Sequence, residues 1–287
     1  MPLLALILVT AVWGVTFVQV KDAVEVYPLF AFLAVRYAIA TGALALVGGR
    51  RVLRLGRSGF LAGGVLGVLL GLGIGLQTAG LERTTVSSTG FITGLYVVLT
   101  PLFGLVLFRT RVGLEVWTGV VLAVVGLAML SGVHVGSTGG DLLVLASTAA
   151  QALQILMVER YATRYDAIAL TLVQMGACFV GFLAIALALG ELEVPHGRTV
   201  WGALLVTGVF ASALAYLIQV WAQRRLSAAR IAIVFSLETV FAGIFGYWLA
   251  GDRLGWLGWG GCAVILAGIA VAEPTAARFL RSLLPSD

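Results

Sequence analysis

GFLAGGVLGVLLGLGIGLQTAG, residues 59–80, decides how the whole chain is read. Gly63, Gly67, Gly71, Gly75 and Ala79 recur every four residues, which sets five small residues along one ridge of a helix. No charge falls between Ser58 and Leu81. In water so glycine-rich a helix would be unstable, each Gly costing about 1 kcal/mol against Ala. In lipid the same ridge lets a second helix approach to backbone distance. The spacing therefore predicts a membrane helix whose ridge packs on a neighbouring helix rather than on a ligand.

Composition carries that reading to the rest of the chain. Of 287 residues, 61% are hydrophobic and 11% charged, with a mean hydropathy of +1.08. Soluble proteins carry about 25% charged residues, so most of this surface has to face a lipid bilayer. The net charge of +5 does not point to nucleic acid. The basic residues form no stripe with interleaved aromatics, and sit in short clusters between apolar runs, as loops at an anionic membrane surface do. Cys178 and Cys262 lie inside apolar runs without CxxC spacing, and His134 and His196 are isolated, so neither a disulfide, a metal site nor a cofactor is expected. The chain contains no Asn, which excludes N-glycosylation. Its start, MPLLALILVTAVWG, lacks the charged n-region and cleavage site of a signal peptide and reads as a retained first span. Enzyme motifs are missing: Gly71, Gly73 and Gly75 follow no strand, and there is no Walker loop or serine elbow. Without an ATP site, any transport is expected to be secondary or passive.

A bilayer core of about 30 Å needs roughly 20 apolar residues per helix. That length predicts an all-α integral membrane protein of ten spans, at 3–20, 27–48, 58–81, 85–107, 112–131, 139–158, 167–190, 199–221, 227–250 and 254–273. With a cytoplasmic N-terminus, the inner ends hold twelve Arg: Arg50, Arg51, Arg54, Arg57, Arg109, Arg111, Arg160, Arg164, Arg224, Arg225, Arg278 and Arg281. The outer loops hold Lys21, Arg83, Arg198 and Arg253. This bias predicts that both termini are cytoplasmic. The halves resemble each other: WTGVVLAVVGLAM from Trp117 aligns with WGGCAVILAGIAV from Trp259, and LTPLFG from Leu99 with LETVFA from Leu237. Residues 1–135 and 136–273 are therefore expected to be two five-span repeats, the second inverted because five is odd. Residues 274–287 would be a cytoplasmic tail.

Helical spacing gathers the intramembrane polar residues onto faces. Thr10, Trp13 and Phe17 share one in the first span, with Thr16 and Gln19 nearby, and Ser147, Gln151 and Gln154 share one in the sixth. The fourth carries Thr89, Thr93, Tyr96 and Thr100, and the eighth repeats that spacing with Ser212, Tyr216, Gln219 and Gln223. An unpaired amide in hydrocarbon costs several kcal/mol, so these stripes either bond to one another or line a wet cavity. The substrate-binding candidates are Thr10, Trp13, Thr16 and Phe17 on one wall, with Ser147, Gln151 and Gln154 facing them. Thr93, Tyr96, Tyr216 and Gln219 complete the chamber. Two charges lie deeper. Glu238 reads either as a proton-coupling group or as a fixed structural one, and Arg36 either as a partner for a substrate carboxylate or as a structural one. Pro101 is expected to kink or loosen the fourth span, as a static feature or as a gating hinge.

AVWGVTFVQVKDA, PLFAFLAVRYAIA, GLYVVLTPLFG and FSLETVFAGIFGYWLAGDRLGWLGWGGCAVILAGI resemble the drug/metabolite transporter superfamily, specifically its EamA-type ten-helix permeases, over essentially the whole chain. The resemblance implies a secondary transporter in the bacterial inner membrane, exporting amino acids or other small metabolites by alternating access. Its cavity would be formed mainly by spans one, three, four, six, eight and nine. Aromatic and neutral amino acid exporters look nearest in length and style. A lipophilic-drug or nucleoside exporter is the alternative within transport, and a non-transporting membrane scaffold the alternative outside it. Where relatives commonly read Leu-Glu-Pro, Thr239 follows Glu238 here, which implies a less kinked ninth helix.

Overall fold

A computed structural model describes residues 2–84, 86–131, 138–245 and 255–272. His134, Arg253, the last residues of the ninth predicted span and the 274–287 tail lie outside the described residues. Every described element is helical. In chain order these are α1 (Pro2–Val24), α2 (Leu29–Gly48, continued by a 3₁₀ turn Gly49–Arg54) and α3 (Gly56–Leu81). Then come α4 (Val86–Gly94 and Tyr96–Phe108), α5 (Leu114–Ser131), α6 (Thr138–Ala162) and α7 (Ala167–Leu189). The last three are α8 (Gly197–Ala222), α9 (Ala228–Phe235 and Leu237–Phe245) and α10 (Trp256–Ala272). Among the described residues eight of these are long and apolar enough to cross a membrane, while α5 and α10 are shorter apolar helices. Apart from the end of the ninth span, which lies outside the described residues, the ends agree with the predicted spans to within about four residues.

The glycine ridge does what its spacing requires. A Cβ on Gly67 would stand 2.5 Å from Ala177 Cβ and 2.6 Å from the Gln174 carbonyl, and one on Gly63 would stand 2.7 Å from Val173. This ridge is thus pressed against α7. A second pair of glycines, Gly73 and Gly80, presses the opposite face onto α6, where a Cβ would come within 2.7 Å of Gln151 and 2.6 Å of Val144. The helix α3 is therefore clamped between α6 and α7, with Gly64 facing open space.

The helices α5 and α10 meet through paired glycines. A Cβ on Gly119 would lie 2.8 Å from the Gly268 carbonyl, and one on Gly126 would lie 2.6 Å from the Gly261 carbonyl. Gly119 aligns with Gly261 and Gly126 with Gly268 between the halves, so each glycine packs on the counterpart of the other. The buried core divides into two main bodies. One gathers parts of α4, α5, α9 and α10; the other gathers parts of α2, α3, α7 and α8. Trp13 packs against both.

Two helices are interrupted near the middle of their described length. The break in α4 falls at Leu95, where Val98 N–H bonds the Leu95 carbonyl in a tightened turn, and not at Pro101, which sits inside a continuous segment. Gly94, packed on Leu127, is the weak point beside it. The ninth helix is interrupted at Ser236 although Thr239 replaces proline. The Ser236 hydroxyl donates to the Ile233 carbonyl at 2.6 Å, and its N–H is shared between the Ala232 and Ile233 carbonyls. A serine competing for the helix's own acceptors produces the break that proline would otherwise supply.

Candidate functional site

Tyr96 and Glu238 open the second segments of α4 and α9, just past the two breaks. The Tyr96 hydroxyl reaches Glu238 Oε2 at 3.5 Å, so the interrupted helices touch through their first polar side chains. Glu238 in turn lies on a cavity whose free volume is about 60 Å³, room for a few water molecules. Trp13, Thr16 and Phe17 of α1, Arg36 of α2, Gln77 and Thr78 of α3, Gln151 of α6 and Tyr216 of α8 also line it.

The aromatic wall is fixed by packing. Trp13 lies edge-on to Phe235, with centroids 4.9 Å apart, and tilted against Tyr216 at 5.6 Å. Its indole Nε1–H donates to the Ala211 carbonyl at 2.8 Å. Ala211 belongs to Val206–Leu214, which is π-wound, a winding that concentrates at functional sites. The next residue, Ser212, accepts a hydrogen bond from Arg36 Nε at 2.9 Å. The π segment thus holds two cavity side chains with adjacent groups. It lies against α2 at Gly208, where a Cβ would be 3.0 Å from the Arg36 carbonyl.

Of the sequence candidates, Trp13, Thr16, Phe17, Gln151, Tyr216, Arg36 and Glu238 come together on this cavity. Tyr96 and Thr93 stand one bond behind it, Tyr96 through Glu238 and Thr93 by accepting from Gln77 Nε2 at 2.9 Å. Thr10 and Ser147 are fully buried and bond back to the carbonyls of Ile7 and Val144. Gln154 and Gln219 are also off the cavity. Gln219 Nε2 donates to Gln154 Oε1 at 3.1 Å and to Gln223 Oε1 at 3.0 Å, while Gln223 Nε2 donates to the Ile155 carbonyl at 2.8 Å. This amide ladder ties α6 to α8. Gln77 and Thr78 were not singled out by the sequence, although they are the two polar residues at the far end of a segment that is apolar from Gly59 to Leu76.

The two ends of the bundle differ in charge. At one end a recess of about 600 Å³ is lined by Glu25, Tyr27, Glu82, Arg83, Glu191 and Glu193. Tyr27 donates to the Glu193 carbonyl at 2.6 Å, tying α1–α2 to α7–α8. Partial desolvation pushes the Glu82 carboxyl above its ordinary range; Arg83 opposes this and Glu191 adds to it. At the other end a recess of about 610 Å³ is lined by Thr110, Arg111, Glu115, Glu159, Arg225 and Arg230, among others. Val20 and Leu81, which also line the central cavity, are the lining residues nearest along their helices to Glu25 and Glu82 of the acidic recess, while Gln223 of the amide ladder adjoins Arg224 and Arg225 on the basic side.

Comparison with known proteins places this geometry. A solved crystal structure shares the fold, with a TM-score of 0.74 at 20% identity and 97% of each chain covered. An uncharacterized transporter from Archaeoglobus fulgidus is 32% identical over 271 residues, covering 94% of this chain and 85% of that protein. The sequence profile of the EamA-like transporter family matches twice, over residues 1–132 and 138–272. The chain belongs to the EamA-like transporter family.

Proposed function

We propose that this multi-pass membrane transporter exports small metabolites, amino acids foremost, by alternating access through the cavity around Trp13. The observation that carries the reading is the chamber itself. Aromatic rings and neutral hydrogen-bonding groups from α1, α3, α6 and α8 converge beside two interrupted helices, the arrangement that secondary transporters use at the bilayer midplane. Family membership and the absence of an ATP-binding motif favour a secondary mechanism.

In this reading residues 1–135 and 136–273 are the two inverted repeats, with the double family match and the exchanged glycines of α5 and α10 in support. The Arg-rich end faces the cytoplasm of the bacterial inner membrane, with both termini on that side. The chamber then opens outward, and the Gln154–Gln219–Gln223 ladder closes it inward. At about 60 Å³ it is smaller than the roughly 300 Å³ at which ligand pockets begin, so a solute enters only as helices part. The polar lining supplied by Gln77, Gln151 and Arg36 favours a polar solute over a lipophilic drug.

Uptake of a panel of radiolabelled amino acids into proteoliposomes, with and without an imposed pH gradient, tests the reading. Saturable uptake that is lost in Trp13→Ala is expected. No uptake of any amino acid withdraws this substrate class, and unchanged uptake in Trp13→Ala removes the site.

A further inference from the structure

Arg36 and Glu238 both line the central cavity, and no ion pair joins them. Each is held by neutral groups instead: Arg36 by the Ser212 hydroxyl, which accepts from Nε at 2.9 Å, and by the Tyr37 ring, whose centroid lies 5.6 Å from Cζ; Glu238 Oε2 by the Tyr96 hydroxyl at 3.5 Å. Those bonds orient the charges without neutralising them. A guanidinium has five N–H donors, so one serine leaves most of its capacity unused. A carboxylate likewise accepts at two oxygens.

Two opposite charges beside an apolar wall, kept apart inside a membrane, are expensive unless something answers both. An anion answers Arg36 and is repelled by Glu238. A cation answers Glu238 and is repelled by Arg36. An apolar neutral solute that displaces the cavity water leaves both desolvated. A solute carrying both signs improves on water at both poles at once. Trp13 and Tyr216, whose rings sit 5.6 Å apart, and Phe17 give the same cavity its apolar surface.

We propose that Arg36 and Glu238 are the two poles of one recognition site for a zwitterion. Arg36 takes the carboxylate, Glu238 takes the ammonium, and the apolar side chain lies against Trp13 and Tyr216. The proposal rests on the cavity being the transport site and adds the rule by which that site selects: net-neutral, doubly charged solutes with an apolar side chain. Charge discrimination then comes from the repulsive pole as much as from the attractive one.

The test uses the full chain in proteoliposomes, with radiolabelled L-phenylalanine as the probe. Competitors are L-phenylalaninamide, which lacks the carboxylate, and N-acetyl-L-phenylalanine, which lacks the ammonium. In the parent chain both are expected to compete at least about tenfold more weakly than phenylalanine, the range for a lost hydrogen bond to a charged group. Arg36→Gln removes the preference over the amide while keeping that over the acetyl derivative, and Glu238→Gln does the reverse. Arg36→Lys, which keeps the charge, restores rejection of the amide, and this separates recognition from folding. If either derivative competes as well as phenylalanine in the parent, or if both variants lose both preferences together, the two-pole site is overturned. If phenylalanine is not transported while a nucleoside or a lipophilic cation is, the zwitterion rule fails but transport through the cavity stands. If no solute of any class is transported, the transport reading fails with it.

Discussion

Alanine placed along α3 separates four glycines, three of them on one ridge and equivalent in sequence (Gly63, Gly67 and Gly71) and one, Gly64, beside it. At Gly67 the new Cβ would meet Ala177 Cβ at 2.5 Å, against an ordinary contact of 3.4 Å, and the Gln174 carbonyl at 2.6 Å. Relief requires α3 and α7 to part by about 0.9 Å, and the Gln174 backbone cannot yield as a flexible side chain would. Overpacking of this kind costs about 1–3 kcal/mol, offset by up to about 1 kcal/mol of helix propensity. Gly67→Ala is therefore expected to destabilise by about 1–2 kcal/mol, and Gly63→Ala to behave alike. At Gly71 the nearest atom is Cys178 Sγ at 3.9 Å, and at Gly64 nothing lies within 4 Å. Alanine at these two positions is expected to be neutral or stabilising by up to about 1 kcal/mol. The described cysteines, Cys178 and Cys262, are buried at 2% and 5% exposure, so a thiol-reactive dye reports unfolding of the purified protein in detergent. A shift of about 2–4 °C per kcal/mol is the expected scale. Equal melting temperatures for Gly67→Ala and Gly71→Ala would refute the reasoning, since they share ridge, residue type and spacing and differ only in clearance.

Gln219→Ala removes the centre of the amide ladder and leaves buried partners on Gln154 and Gln223 unmet. A loss of about 1–3 kcal/mol is expected, and a cysteine at the cavity-lining Thr16 (Thr16→Cys) becomes reachable by an impermeant thiol reagent in inside-out vesicles; continued protection of that probe would show that the ladder is no barrier. Ser212→Ala unlatches Arg36 Nε and is expected to raise the KM for the transported solute several-fold while shifting the melt by no more than about 1 kcal/mol. Because Glu82 has a raised carboxyl, its ionisation opposes folding, and that penalty appears as pH rises through the carboxylate range. The gain in melting temperature of Glu82→Gln over the parent should therefore grow between about pH 4 and pH 7, and a constant difference across that window would contradict it.

Span positions were legible because length and apolarity alone decide what crosses a bilayer, and the residues of α3 or α7 need no knowledge of their neighbours to be read as such. The ridge was legible too, since small residues at four-residue spacing can only mean close approach. What a stripe faces was not. Gln151 and Gln154 are three residues apart on α6, yet Gln151 reaches the cavity across Gly73 while Gln154 is taken up by Gln219. The difference lies in which helix covers each turn, and periodicity carries no information on that. The breaks at Leu95 and Ser236 and the π winding of α8 depend on hydrogen bonds settled by tertiary packing. Pro101, the loudest local signal, lies on one of the two interrupted helices but six residues past its interruption at Leu95.

The exchanged glycines of α5 and α10 bear on how the molecule could move. If the two repeats trade conformations during a cycle, every contact between non-equivalent partners has to be remade as its mirror counterpart. The Gly119–Gly268 and Gly126–Gly261 contacts are already each other's counterparts, so the trade returns this seam to itself. In such a cycle it would serve as an axle, a line that bears load from both sides and travels nowhere. Glycine suits such a place because backbone pressed on backbone leaves no side chain whose rotamer must change at each half-turn.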